Sequence, residues 1–254
     1  MKKFVTALGI VTIISIVVGT YIHVGGFFMN NGVKLFGKPI FSLGSGGNNV
    51  TFSEDYSGVE KLNLDMSVGD VFIEEGSTFN VSFEGQEDLK PEVTLKDNKL
   101  VIKQKKDINI KPINLGKVKS SLTVTVPSSV TVERLDAELD MGNLEIKDVA
   151  CKDLFADLSM GNLEIRNAKA EKIGADNDMG DCKIYNSEFN ELTADCDMGN
   201  IHLELADSSD NYGIHATCDM GEVKIDGDKE GNNYSTKGDK TITLSVSMGN
   251  ITVE

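Results

Sequence analysis

Along the C-terminal half of the chain, apolar and polar residues alternate in short runs that break step at regular intervals. Counted from Met160 as position zero, apolar residues fall at −6, −4, −2 and 0 (Leu154, Ala156, Leu158, Met160). They return at +3 and +5 (Leu163, Ile165), then at +8 and +10 (Ala168, Ala170). Within one strand, residues on the same side keep a two-residue period. Each loss of parity therefore marks a corner: at Gly161-Asn162, near Arg166-Asn167, and at Glu171-Lys172. Three corners per coil predict an all-β, three-faced parallel β-helix, a β-solenoid with neighbouring strands about 4.8 Å apart.

The corner unit itself repeats. Met141-Gly-Asn, Met160-Gly-Asn, Met179-Gly-Asp and Met198-Gly-Asn follow one another at 19 residues; Met220-Gly-Glu comes 22 later and Met248-Gly-Asn 28 later. Val68-Gly-Asp fits the same template. A fixed period near 20 residues with β-type alternation is the mark of a solenoid, here with coils of about 19–22 residues. The two longer spacings carry the polar stretches Asp207–Asn211 and Asp226–Lys240, which read as loops bulging from the stack. Gly after Met suits a corner that needs positive φ, and Asn or Asp beside it supports the turn.

Equivalent positions form columns. Position −4 carries Ala137, Ala156, Ala175, Ala194 and Ala216, then Leu244, which predicts two faces in close approach. The Met column is expected to fill irregular space inside a corner. Cys196 and Cys218 share −2 with Leu139, Leu158 and Val246, and Cys182 shares +3 with Leu144, Leu163 and Ile201. With Cys151, these four cysteines are expected as small buried residues. Cys196 and Cys218, as near neighbours on adjacent strands, are the candidate disulfide. His202 and His215 fall at outward parity and no Cys-x-x-Cys occurs, which argues against zinc.

The N-terminus has a different character. Lys2 and Lys3 precede a stretch from Phe4 to Phe28 without Asp, Glu, Lys or Arg. Roughly 20 apolar residues span a bilayer core, and flanking Lys favours a cytoplasmic N-terminus. The expectation is one transmembrane helix in residues 1–28, retained as a signal-anchor, since no small-x-small cleavage site follows; a cleaved signal peptide is the rival. A Gly/Asn-rich spacer, 29–50, then leads to a solenoid domain over 51–254. The protein would be single-pass in the cell membrane, with its C-terminal domain outside.

Charge narrows the function. Residues 121–254 hold 11 Lys and Arg against 27 Asp and Glu, a net of −16, whereas 86–120 hold 9 Lys against 5 acids, a net of +4. An acidic half without a basic stripe argues against nucleic acid. Position −3 carries Glu138, Asp157, Asp176 and Asp195, and −1 carries Asp140, Asp178, Asp197 and Asp219, all at outward parity. Asp176, Asp178, Asp195 and Asp197 are the candidate site for a hard cation such as Ca²⁺, or for a cationic peptide. Their regularity as a ladder, with no unique acid/base pair and no serine or cysteine triad, points away from catalysis. A polysaccharide-active β-helix enzyme and a Ca²⁺-stabilised structural solenoid remain the alternatives. No cofactor is expected.

The anchor, the Val68-Gly-Asp-Val-Phe-Ile73 and Met-Gly-Asn-Leu-Glu-Ile units and the Leu122-Thr-Val-Thr-Val-Pro127 strand together resemble the putative-adhesin family of bacterial β-strand-repeat proteins. The likeness covers roughly residues 50–254. It implies a cell-surface protein connected with adhesion or envelope stress, without an established catalytic site. The anchor, the spacer and the rigid repeat surface themselves suggest a binding or scaffolding module, with cell-wall or host surface polymers or cationic peptides as partners. Because the sequence stops directly after Val253 at +5, the final coil is expected to leave an open end, which either the charged terminus protects or another copy docks upon, end to end.

Overall fold

The computed structural model describes residues 48–105 and 120–254, together with the backbone of a hairpin pairing Lys34–Leu35 with Lys38–Pro39. The expected membrane segment, residues 4–28, and most of the 29–50 spacer lie outside the described residues. Among the described residues no helix is long and apolar enough to cross a membrane.

The alternating segments form the coils that the parity breaks predict. Val132–Leu139, Cys151–Leu158, Lys172–Met179 and Glu191–Met198 stack in parallel, with Ala137, Ala156, Ala175 and Ala194 in register. After the Gly corner, Leu144–Lys147, Leu163–Arg166, Cys182–Ser187 and Ile201–Leu205 stack likewise on a second sheet. With their neighbours they make one ten-stranded and one eleven-stranded sheet. The third face is rudimentary, carrying the isolated parallel bridges Ala150–Lys169 and Lys169–Glu188. It places only about one apolar residue per layer inward, such as Val149, Ala168 or Phe189, which is too little for a ladder.

The two corners differ in chemistry. At the first, Gly142, Gly161, Gly180 and Gly199 have φ of 141°, 146°, 137° and 155°. A Cβ on Gly161 would stand 1.7 Å from the carbonyl oxygen of Gly142, so both φ and space exclude any side chain. Beside each glycine runs a ladder of amides. Asn143 Nδ2 donates to Asp70, Asn162 Nδ2 to Asn143, and Asn200 Nδ2 to Asp181, while the backbone N–H of Asp181 donates to Asn162 Oδ1. At the second corner Asp148, Asn167, Asn186 and Asp226 take left-handed φ of 47–57°, a conformation Asn and Asp tolerate best after Gly.

Layer order departs from chain order at both ends of the stack. Lys240–Met248 lies between Glu191–Met198 and Tyr212–Met220, parallel to both. Ile251–Val253 lies in the same way between Ile201–Leu205 and Val223–Ile225. The last coil is thus the penultimate layer, and the expectation of an open end after Val253 is overturned. The outermost layer is flanked instead by antiparallel pairings of Asp228–Gly231 and Asn233–Ser235. At the opposite end the Lys61–Met66/Asp70–Gly76 coil is enclosed between Val132–Leu139/Leu144–Lys147 and the later Lys99–Lys103/Ser120–Pro127. Antiparallel strands Phe79–Gln86, Asn49–Tyr56 and Glu92–Lys96 finish that end. The polar stretches 207–211 and 226–240 are therefore the steps by which the chain skips a layer and returns.

Between the sheets lies a continuous dry core. Columns such as Leu135, Leu154, Ile173, Leu192, Ile242 and Ile214 are at most 2 % exposed. The Ala column packs beside them; Leu244 replaces Ala in the inserted layer, and Leu64 and Ile102 continue the column at the opposite end. The Met column departs from expectation. Met141, Met248 and Met220 are 36 %, 40 % and 62 % exposed, and Met160, Met179 and Met198 are half-buried. The chain has already begun to turn at Met, so its side chain sits on the outside of the bend.

Candidate functional site

The outward positions of the ten-stranded sheet carry the acidic ladders. Asp176 lies in register with Asp157 on one side and Asp195 on the other. Burial, then Asp157, Asp195, Asp178 and Asp197 in turn, raises the carboxyl pKa of Asp176. Burial and Asp197 raise that of Asp195, against a lowering hydrogen bond from the Cys196 backbone. The structure thus brings Asp176, Asp178, Asp195 and Asp197 together on two adjacent strands as a patch of strained negative charge. Among the described residues, however, no group of three or more His, Cys, Asp or Glu is placed to hold a metal ion. Parallel in-register strands keep these side chains side by side instead of converging on one point.

The inserted layer interrupts both ladders. Ser245 stands in register beside Asp195, and the Ser247 hydroxyl donates to Asp197 at 3.3 Å. Asp219, two layers from Asp197, is cut off from the patch. At the other end, cations close the face: Lys103 pairs with Asp65 at 2.9 Å and Arg134 with Asp136 at 2.8 Å. The Arg134 guanidinium also lies 4.4 Å over the Phe155 ring. That ring extends across Gly174, where a Cβ would be 2.6 Å from it. Phe155 is an outward aromatic that alternation alone would assign to a polar position.

The cysteines are where their parity places them. Cys151, Cys182, Cys196 and Cys218 are free and buried. Burial pushes the thiols of Cys151 and Cys182 up to about 12, and that of Cys196 to about 11, so all three are protonated and inert at neutral pH. Cys196 and Cys218 each donate to a corner glycine carbonyl, of Gly180 at 3.3 Å and Gly249 at 2.9 Å. Asn177 occupies the same column, fully buried; its Nδ2 donates to Gly161 at 3.2 Å while Oδ1 has no protein partner. A polar residue at an apolar parity was the available signal for Asn177.

Two hollows of about 380 and 280 Å³ lie elsewhere. Pro127, Val149 and Lys169 border the first; Phe72, Glu145, Glu164 and Lys183 border the second. Neither includes a candidate residue of the acidic face.

These features define a β-solenoid of smooth, regularly repeating outer faces. The chain belongs to the Toastrack DUF4097 family, with the match running over residues 59–254. It is similar in fold to a putative cell adhesion protein from Clostridium sporogenes, at 18 % identity, 81 % of this chain and 99 % of that one, with a TM-score of 0.55. Putative adhesins from Bacteroides fragilis (16 % identity, 82 % and 97 % coverage, TM-score 0.42) and Parabacteroides distasonis (13 %, 82 % and 98 %, 0.38) are more distant. No curated protein matches the chain.

Proposed function

We propose that this protein is a membrane-anchored, extracellular module that binds or scaffolds envelope components without catalysis. The observation that carries this reading is the disposition of each coil. Every apolar column but methionine points inward, and the acidic positions run level across adjoining strands up to the inserted layer, so the outer side of the ten-stranded sheet presents a face and not a cleft. Interaction by such a face is distributed over many weak contacts. The acid-rich stretch from Glu138 through Asp157 and Asp176 to Asp195 favours cationic partners, whether cationic peptides or positively charged groups of cell-wall or host surface polymers. Asp176, Asp178, Asp195 and Asp197 form the densest part of it. The uncharged stretch 4–28 behind Lys2 and Lys3 supports anchoring with the solenoid outside. The similarity in fold to a protein described as a putative cell adhesion protein supports surface display.

Protease treatment of intact cells expressing the full chain tests the placement; removal of the solenoid from the cell surface is expected, and full protection would refute it. Binding of the full chain in detergent to cell-wall polymers, host matrix and cationic peptides tests the activity. Salt-sensitive binding to at least one is expected, and absence of binding to all would refute it.

A further inference from the structure

We propose that the methionine ladder is a binding site for soft monovalent metal ions of the Cu(I) and Ag(I) class. Met141, Met160, Met179, Met198, Met248 and Met220 occupy six consecutive layers. Each is locked in place by its carbonyl, which accepts the N–H of the glycine one layer away: Gly69 to Met141, Gly142 to Met160, Gly161 to Met179, Gly180 to Met198, Gly199 to Met248 and Gly249 to Met220, at 2.9–3.1 Å. Met179, Met198, Met248 and Met220 are directly in register.

This stripe is not core. Among the described residues the large hydrophobics classed as exposed are Leu95, Met141, Met220 and Met248, so three of the four belong to the ladder. An apolar side chain on an acidic surface gains little from hydration, and the equivalent position of an earlier coil carries Val68, so the bend itself does not require a thioether. What the six share is a thioether. Thioethers select soft ions, Cu(I) foremost, over the hard ions that carboxylates prefer.

Spacing fits this chemistry. Neighbouring layers are about 4.8 Å apart, roughly twice a typical metal–sulfur bond of about 2.3 Å. Two adjacent sulfurs can therefore close on one ion, and three rotatable bonds per side chain let a third swing in from the next layer. Thioethers are neutral, so a bound cation keeps its charge. The preceding outward residues, Asp140, Asp178, Asp197 and Asp219, surround the stripe with negative potential that favours it. The ion binds intact, with no change in its oxidation state and no bond broken.

The test uses the full chain in detergent, carrying methionines labelled at the ε-methyl carbon, with Ag(I) as a redox-stable probe. Expected is a shift of the six ladder methyl resonances while that of buried Met66 stays in place. The triple variant Met160→Leu/Met179→Leu/Met198→Leu should bind Ag(I) roughly tenfold more weakly. Its melting temperature should change little, because Leu replaces Met at a surface bend at similar volume. Ca²⁺ at the same concentration should leave the ladder methyls unmoved. Stationary ladder methyls under Ag(I), unchanged affinity in the triple variant, or equal shifts with Ca²⁺ would each overturn the proposal. Reading the methyl groups directly separates the ladder from the four thiols, which also have affinity for silver.

Discussion

Cys196 and Cys218 stand on opposite sides of Val246, which is in register with both. Two strand spacings, about 9.6 Å, separate them, beyond the roughly 6.8 Å that a disulfide spans between Cα atoms. The inserted last coil is what holds them apart. Alkylation after denaturation without reductant should therefore count four thiols per chain. In the folded protein, labelling at pH 8 should be slow, because burial keeps the thiols of Cys151, Cys182 and Cys196 protonated far above that pH. A count of two would mean that the pairing of layers is different.

The corner glycines are not interchangeable with other glycines of left-handed φ. Gly161→Ala would drive a methyl group into the Gly142 carbonyl, whereas a Cβ added at Gly227, where φ is 88°, would meet nothing within 4 Å. Gly227→Ala should cost about 1 kcal/mol. Gly161→Ala should cost more than about 3 kcal/mol, since the backbone of two layers must separate. Urea denaturation of the two variants gives the comparison directly.

Residues near a chain terminus ordinarily fray. Here Ile242, Leu244 and Val246 are at most 2 % exposed and hydrogen-bonded into strands on both sides. Amide hydrogen exchange across 242–246 should be as slow as across 192–196, in the slowest class for the domain. Leu244→Ala should destabilise by about 2–5 kcal/mol, as for a fully enclosed side chain. Rapid exchange across 242–246 would contradict the inserted layer.

The acidic face has a pH signature with a definite sign. Asp176 and Asp195 have carboxyl pKa values raised in the folded state, so the native state holds those protons more tightly than the unfolded chain. Their ionisation therefore opposes folding at pH above the raised values, and that penalty disappears as pH falls below the unfolded value near 3.9. Asp176→Asn should stabilise the protein at pH 7. Like charges at this spacing repel by about 1 kcal/mol in water, and both groups are largely exposed, so a gain below about 1 kcal/mol is expected after screening. It should shrink in high salt and vanish near pH 3. Melting temperatures at two pH values and two ionic strengths suffice.

Much of this architecture is legible in the residues themselves. Parity located the Gly161-Asn162 and Asn167 corners, the inward Leu, Ala and Cys columns, and the outward Asp ladders, because alternation reports directly which side of a strand is wet. It could not report the order of layers. Any strand with the column pattern Leu-Ala-Cys fits beside any other, so Leu244 in place of Ala was a mark of the inserted layer without being a proof of it. Alternation also misplaced the methionines: Met160 has inward parity, yet the chain turns at that residue and carries the side chain outside. The third face falls short of a sheet for the opposite reason: Ala168 and Ala170 keep the pattern but are too few per layer to sustain a ladder.

The two skipped layers leave the interior coils with no part in closing either end. Leu144 faces Leu163 and Leu163 faces Cys182, each one full 19-residue turn further along the chain. Adding or removing a whole turn between them would change the molecule's reach while leaving both clasps untouched. Length is thus a freely tunable property of this design, set by copy number in the middle like links between two fasteners.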